Sequence, residues 1–203
     1  MNKALASGAV AGRRGWLPRR AVPAARLPVA LRRVLLDNGS LTALVREICA
    51  DRSFAVRVLS QSRRPVAADE RRLLAMPSGQ WPLVREVYLC RDNEPLVFAR
   101  SLVPPCGLEG SWRHLRRQGR RPLGATLFAD VRVRRGPLEL GCLPPSDGLC
   151  RKLRGEGLLA DNQPLRGRRS VFLLRGQPLL VSEFFLPAFV LALEGTRNRC
   201  SKS

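Results

Sequence analysis

Lysine, histidine and the common catalytic motifs are scarce or missing in this chain of 203 residues. Histidine occurs once, as His114 in "WRHLRRQG", where we expect a solvated helix residue and not a general base. The sequence has no G-x-S-x-G, no G-x-x-x-x-G-K-[ST] and no G-x-G-x-x-G after a strand. It therefore lacks the signatures of nucleophilic catalysis and of nucleotide binding.

Signs of metal binding and of membrane insertion are also missing. The six cysteines form no C-x-x-C pair, and with one histidine a zinc site would need almost only thiolates. We therefore expect no metal and no cofactor, and reduced thiols in a cytoplasmic protein. The N-terminal residues contain no continuous apolar stretch of the secretory type. The longest apolar run, 184–193, is interrupted by Pro187 and is about half the ~20 residues that a membrane span needs.

Positive charge is abundant and is carried by arginine. The formal net charge is +20, and only Lys3, Lys152 and Lys202 are lysines. Such a field attracts anions, including nucleic acids and small dicarboxylates. The arginine pairs are scattered along the chain with few aromatic residues between them, whereas a nucleic-acid site concentrates them on one face or tail. We expect no specific nucleic-acid partner, although an arginine-rich nucleic-acid-binding protein stays open as an alternative.

The chain is long enough for one globular domain, and 45% of its residues are hydrophobic. Residues 1–26 are rich in Ala, Gly, Arg and Pro without periodicity, which predicts a flexible basic extension. We place the folded domain at 27–192 and a C-terminal tail at 193–203, and we expect a monomer.

Two helices and then mostly strands are predicted within that domain. Apolar residues recur at helical spacing over 27–36, and Ser40 is a suitable N-cap for a second helix that starts at Leu41. This pair has helix-turn-helix spacing, but its second helix offers few base-reading side chains, so packing is the favoured role. Strand alternation follows at 54–60 and in the later hairpins.

The two hairpins indicate an antiparallel sheet. In the first, 83–91 and 95–103 are joined by Asp92-Asn93. In the second, 170–174 and 178–186 are joined by a three-residue turn, 175–177. Between the hairpins, "GLEGSWRHLRRQG" predicts a short basic amphipathic helix. Further along the chain, residues 136–166 are rich in Gly and Pro, and we interpret this segment mostly as loop.

One charged residue interrupts the apolar face of a strand in each hairpin. Arg85 shares its face with Leu83, Val87 and Leu89, and a buried guanidinium without a partner costs several kcal/mol. Glu183 is the corresponding misfit in the second hairpin, so it is one candidate for the missing anion. Either the two form a buried ion pair, or both faces are exposed to solvent, or they point into one pocket for a small anionic molecule.

Three sequence blocks carry a resemblance to a known family. The blocks "LVREVYLCRDNEPLVFARSLVP", "RRPLGATLF" and "GRRSVFLLRGQPLLVSEFFLPA" resemble those of chorismate–pyruvate lyase. The resemblance covers about 27–190. It implies an α+β fold of one domain: an antiparallel sheet of about six strands, helices on one side, and a ligand enclosed under flap segments.

The resemblance also implies a function and a set of site residues. The family removes pyruvate from chorismate to give 4-hydroxybenzoate, an early step of ubiquinone biosynthesis. Its substrate and product contacts correspond here to Arg85, Leu123 and Glu183, and to Leu41, where the family commonly has methionine. Arg85 and Glu183 would be the catalytic residues. The alternative from another class is a non-catalytic effector sensor of the same fold.

Overall fold

The computed structural model describes residues 15–200, with side chains through 196. The strands are β1 Leu17–Pro18, β2 Phe54–Arg63, β3 Leu83–Arg91, β4 Glu94–Val103, β5 Arg134–Arg135, β6 Glu139–Leu143, β7 Leu165–Leu174 and β8 Gln177–Phe185. The helices are α1 Val29–Leu36, α2 Leu41–Cys49, α3 Ala68–Leu73, α4 Pro105–Glu109, α5 Leu123–Ala129, α6 Gly148–Gly155 and α7 Pro187–Cys200.

All strands belong to one antiparallel sheet. The order is β1-β6-β7-β8-β4-β3-β2, and β5 pairs with β7 beside that path. The predicted α+β fold with an antiparallel sheet is confirmed, with eight strands in place of about six. Three strands, β1, β5 and β6, have no counterpart among the alternating runs of the sequence. Of these, β1 and β5 are two residues long each and carry no alternation that a sequence pattern could reveal.

Both predicted hairpins are present. In β3–β4, Arg91 pairs with Glu94 across the expected Asp92-Asn93 turn, and Asp92 has a φ of 52°. In β7–β8, Leu174 pairs with Gln177, so the turn has two residues and not the expected three. Positive φ at both Arg175 and Gly176 is typical of a type I′ turn, whose twist suits the flanking strands. This difference shifts the register by one residue.

Helices cover both faces of the sheet. One core cluster joins α1, α2 and α7 to the face that carries Val87, Val97 and Phe185. On the opposite face, Leu153 of α6 packs with Tyr88 and other aromatic side chains. The expectation of helices on one side is therefore wrong in this respect. The two short helices α3 and α6 bury too few apolar residues to stand out as periodic segments.

The first two helices agree with their predicted role. Ser40 caps α2 by accepting a hydrogen bond from the backbone N of Ala43 at 3.4 Å. Leu31 of α1 and Val45 of α2 are buried in the same core as the sheet. Their apolar stripes are thus used for packing.

Two connecting segments differ from the predictions. The expected basic helix ends at Glu109, and a 3₁₀ helix, Arg113–Arg117, follows after the break at Gly110. The expected loop at 136–166 contains β6 and α6. Helix α6 begins with an N-cap at Asp147, whose side chain accepts from the backbone N of Leu149 at 2.8 Å. Short elements rich in Gly and Pro are easily mistaken for loop.

Structure also begins before residue 27. Trp16 is 7% exposed, and Leu17 pairs with Leu140 of β6. The indole lies so close to Gly141 that an added Cβ there would stand 2.5 Å from a ring carbon, so only glycine fits without displacement. The structure describes these contacts for 15–26, whereas 1–14 lie outside the described residues, and the domain bounds stay a prediction. At the other end, α7 continues to Cys200, and 201–203 are likewise not described.

Candidate active site

A cavity lies on the face of the sheet that α2 and α5 cover. Its base is formed by β3, β4, β8 and β7, and its roof by the start of α2 and by 122–128. The space not occupied by atoms, including its opening to solvent, is ≈ 650 Å³.

All four residues expected to contact a ligand line this cavity. Arg85 and Glu183 extend from the sheet, Leu41 from the first turn of α2, and Leu123 from the first turn of α5. The structure thus brings together residues that are up to 142 positions apart, counted from 41 to 183. Their individual roles stay predictions.

The sheet register sets the spacing between the two charged groups. Val87 on β3 pairs with Ala99 on β4, and Ala99 pairs with Glu183 on β8. Arg85 lies two residues from Val87, so the Cα atoms of Arg85 and Glu183 are roughly 12 Å apart. Between them on β4 lie only the small side chains of Ala99 and Ser101, which leave the space above the sheet open.

Arg85 is buried without a carboxylate partner among the described residues. Its residue exposure is 5%, and its Nη2 donates to the carbonyl oxygens of Gly119 at 2.8 Å and Arg121 at 3.4 Å. Its Nε is buried with no hydrogen-bond partner. Burial lowers the pKa of Arg85, since desolvation opposes the charged form. The candidate pairing with Glu183 is therefore wrong, and the guanidinium retains a donor for an anion.

Glu183 pairs instead with Arg168, which the sequence reasoning missed. The two residues are directly opposite in the β7–β8 register, and Arg168 Nε donates to Glu183 Oε2 at 2.6 Å. Arg168 is 1% exposed, and its Nη1 donates to the carbonyl oxygens of Val34 and Asp37 at 2.6 Å each. The signal that could have found it is the turn length, because a two-residue turn at 175–176 places Arg168 opposite Glu183.

A close contact between α5 and α2 forms part of the roof. A Cβ at Gly124 would stand 2.6 Å from Thr42 Oγ1 and 3.0 Å from Ser40 Oγ. Glycine at this position lets the two helix starts approach each other over the cavity. Leu41, which is 2% exposed, and Leu123 supply apolar surface there.

The structure shows no second candidate site at the histidine or among metal-ligating side chains of the described residues. His114 is exposed, in agreement with the expected solvated position. Among the side chains described, 15–196, no group of three or more His, Cys, Asp or Glu residues could hold a metal ion. None of the helices described is long and apolar enough to cross a membrane.

Comparison with solved structures shows the fold. The C-terminal domain of PhnF superposes with a TM-score of 0.52 and 13% identity, covering 69% of this chain and 87% of that domain. The effector domain of PhnF from Mycobacterium smegmatis gives 0.51 and 14% identity, covering 75% and 91%. At this identity the likeness concerns the architecture alone.

Comparison of sequences is more specific. The probable chorismate pyruvate-lyase of Azoarcus sp. (strain BH72) is 46% identical over 178 residues, covering 86% of this chain and 92% of the relative. The protein of the same name from Aromatoleum aromaticum is 43% identical, covering 86% and 93%. The family model for chorismate lyase matches residues 13–193, which include every side chain of the cavity. With a match over nearly its whole length, this chain belongs to the chorismate lyase family.

Proposed function

We propose that this chain converts chorismate into 4-hydroxybenzoate and pyruvate, and that it supplies an early step of ubiquinone biosynthesis. Family membership and the names of the relatives support the reaction. The observation that carries the proposal is the buried Nε of Arg85, which has no partner in a cavity that also contains Glu183.

Arg85 binds the ring carboxylate of chorismate in this proposal. A guanidinium recognises a planar carboxylate through two parallel hydrogen bonds, and its Nε is one of the donors available for them. The carbonyl oxygens of Gly119 and Arg121 hold Nη2 and so fix the orientation of the side chain. The ring is thereby placed above Ala99 and Ser101.

Glu183 contacts the ring hydroxyl at the far end of the same ring. A separation of roughly 12 Å between the Cα atoms of Arg85 and Glu183 leaves room for both side chains and one six-membered ring. The Arg168 guanidinium directs the carboxylate of Glu183. Glu183 is then the candidate acid or base for proton transfer.

The reaction itself needs few chemical groups from the protein. The bond between the ring carbon and the ether oxygen breaks, the hydroxyl-bearing ring carbon loses its proton, and the methylene carbon of the released enolpyruvate gains one. No oxidant or reductant is consumed, and aromatisation supplies driving force. The protein contributes by positioning the substrate and by stabilising the charge that develops on the leaving oxygen.

Leu41 and Leu123 close the cavity over the ring. Apolar side chains in the roof exclude water and lower the local polarity, which strengthens the electrostatic contacts made by Arg85 and Glu183. The replacement of the usual methionine by Leu41 keeps an apolar group of similar volume.

The test is to mix the purified protein with chorismate in buffer containing EDTA and to measure 4-hydroxybenzoate and pyruvate by chromatography. Equimolar formation of both supports the proposal, provided that an Arg85→Ala variant prepared in the same way loses most of this activity. If chorismate stays intact while 4-hydroxybenzoate binds, the proposed reaction is wrong and the site is a sensor for small acids.

A further inference from the structure

Arg135 is a second arginine of the cavity without a carboxylate partner among residues 15–196. It lies on the short strand β5, where it pairs with Phe172 of β7. Its side chain lines the cavity from the side of β7, opposite Arg85 on β3. Neither the resemblance nor the alternation pattern of the sequence pointed to it.

Three contacts hold the Arg135 side chain in place. Its Nε donates to Ser170 Oγ at 3.0 Å, its Nη1 donates to the carbonyl oxygen of Asn38 at 2.8 Å, and its guanidinium carbon lies 5.4 Å from the centre of the Phe172 ring. Within the described part of the chain, Nη2 makes no hydrogen bond. Arg135 is thus a fixed guanidinium with one terminal nitrogen free for an anion.

The charges of the cavity do not cancel. Arg168 is neutralised by Glu183, whereas no carboxylate lies within 4.0 Å of Arg85 or Arg135 in the described residues. Glu183 and Asp37 are near enough to influence Arg135 electrostatically, but neither carboxylate pairs with it. Burial lowers the pKa of Arg135, and the nearby Arg168 lowers it further. Arg85 and Arg135 are therefore two cations without a paired carboxylate in one cavity, and this arrangement is suited to bind a dianion.

We propose that Arg135 binds the second carboxylate of a dianionic substrate, the one on the enolpyruvyl group. This inference rests on the proposed function, because chorismate carries one carboxylate on the ring and one on the ether side chain. With Arg85 on the ring carboxylate, the side chain extends toward β7 and reaches Arg135. Arg135 is then a specificity-determining residue that distinguishes the dianionic substrate from the monoanionic aromatic product.

Because two different arginines bind the two carboxylates, the two products are held separately after cleavage. Once the ether bond breaks, the carboxylate on Arg135 belongs to pyruvate and the carboxylate on Arg85 belongs to 4-hydroxybenzoate. Each product keeps one of the two contacts, so substitution of Arg135 weakens binding of the substrate and leaves binding of 4-hydroxybenzoate nearly unchanged.

The experiment compares two ligands by calorimetry. One is 3-(1-carboxyvinyloxy)benzoate, a dianion with both carboxylates that cannot be cleaved by aromatisation, and the other is 4-hydroxybenzoate. For Arg135→Gln we expect the Kd of the dianion to rise about 30-fold, as for the loss of one charge-assisted hydrogen bond, and the Kd of 4-hydroxybenzoate to stay within about twofold. Arg134→Gln is the matched control, because Arg134 is the exposed neighbour on the same strand.

Each outcome decides the assignment. Equal affinities of Arg135→Gln and the unsubstituted protein for the dianion overturn it, as does equal weakening of both ligands. If Arg135→Gln does not fold, Arg135→Lys keeps the charge without the fork, and the dianion Kd must still rise selectively. Selective loss of dianion binding in a protein that forms no pyruvate refutes the proposed lyase reaction while keeping the dicarboxylate site. Pyruvate formation with unchanged dianion binding refutes the role of Arg135 alone.

Discussion

Arg168 and Glu183 face each other directly across β7 and β8, joined by a hydrogen bond of 2.6 Å from Nε to Oε2. The same guanidinium holds the carbonyl oxygens of Val34 and Asp37, at the end of α1 and just beyond it. The position of the carboxylate is therefore coupled to the segment that leads into the roof. A change in that segment is expected to alter the orientation of Glu183.

Arg85→Met is expected to remove most of the activity without destabilising the protein. Loss of the ring-carboxylate contact costs about 3 kcal/mol, a decrease in kcat/KM of roughly 100-fold. Because the substitution also removes an incompletely paired buried charge, the free energy of unfolding is expected to change by less than about 1 kcal/mol. Chorismate kinetics and urea unfolding measure the two effects.

Arg151→Met is the control for that substitution. Arg151 is exposed and donates to the carbonyl oxygen of Ser146, and neither residue lines the cavity. Its kinetics should match those of the unsubstituted protein. Near-normal turnover of Arg85→Met would remove Arg85 from the proposed mechanism.

Glu183→Gln separates proton transfer from hydrogen bonding. The amide still donates or accepts a hydrogen bond at the ring hydroxyl, but it cannot exchange a proton at neutral pH. We expect kcat to fall by about 100-fold, with a smaller change in the affinity for 4-hydroxybenzoate. The measurement is the turnover of both proteins across a range of pH. A profile of unchanged shape and height would argue against proton transfer by Glu183.

The parts of the site that the sequence predicted are those where one charge interrupts a strict alternation. Arg85 and Glu183 were visible because each stands among apolar residues on one face of a long strand. Arg168 was missed because a one-residue error in turn length moves a side chain to the opposite face. Arg135 was not visible, because a two-residue strand has no periodicity. The sequence could not predict that Arg85 has no carboxylate partner, because this depends on distances between atoms in the folded protein.

Gly124→Ala is expected to loosen the roof. The added methyl would collide with the hydroxyl of Thr42, so α5 must move away from α2. We expect the KM for chorismate and the Kd of 4-hydroxybenzoate to rise several-fold, with little change in the melting temperature. Adding Thr42→Ala to this variant should recover part of the affinity. Unchanged affinities in the single variant would mean that the contact does not govern closure.

Glu86 belongs to an ion-pair network on the other face of the sheet, and we expect its contribution to the free energy of unfolding to depend on pH. Burial alone would raise the pKa of Glu86, but hydrogen bonds from Arg64 and Arg100 outweigh it, and the pKa lies below its ordinary value of 4.5. A carboxyl whose pKa is lower in the folded state stabilises the fold above pH 4.5 and loses this contribution as the pH falls through the folded-state pKa.

The unfolding free energies of Glu86→Gln and of the unsubstituted protein should therefore differ most at pH 7, by about 2 kcal/mol. Urea titrations at pH 7, 5 and 3.5 should show that this difference narrows below pH 4.5. A difference that stays constant over this range would assign the effect to packing and not to charge.

Leu17 and Pro18 of β1 pair with β6 and form the edge strand on one side of the sheet. A strand with free backbone groups at the margin of a sheet is a template on which another chain can add, and such addition leads to aggregation. Proline has no backbone N–H to offer an incoming strand. At the opposite edge, the register of β2 shifts between Val58 and Ser60, which interrupts the regular ladder of backbone hydrogen bonds. Both edge strands thus disfavour the addition of a strand from another molecule. This favours colloidal stability of a protein with a sheet of eight strands.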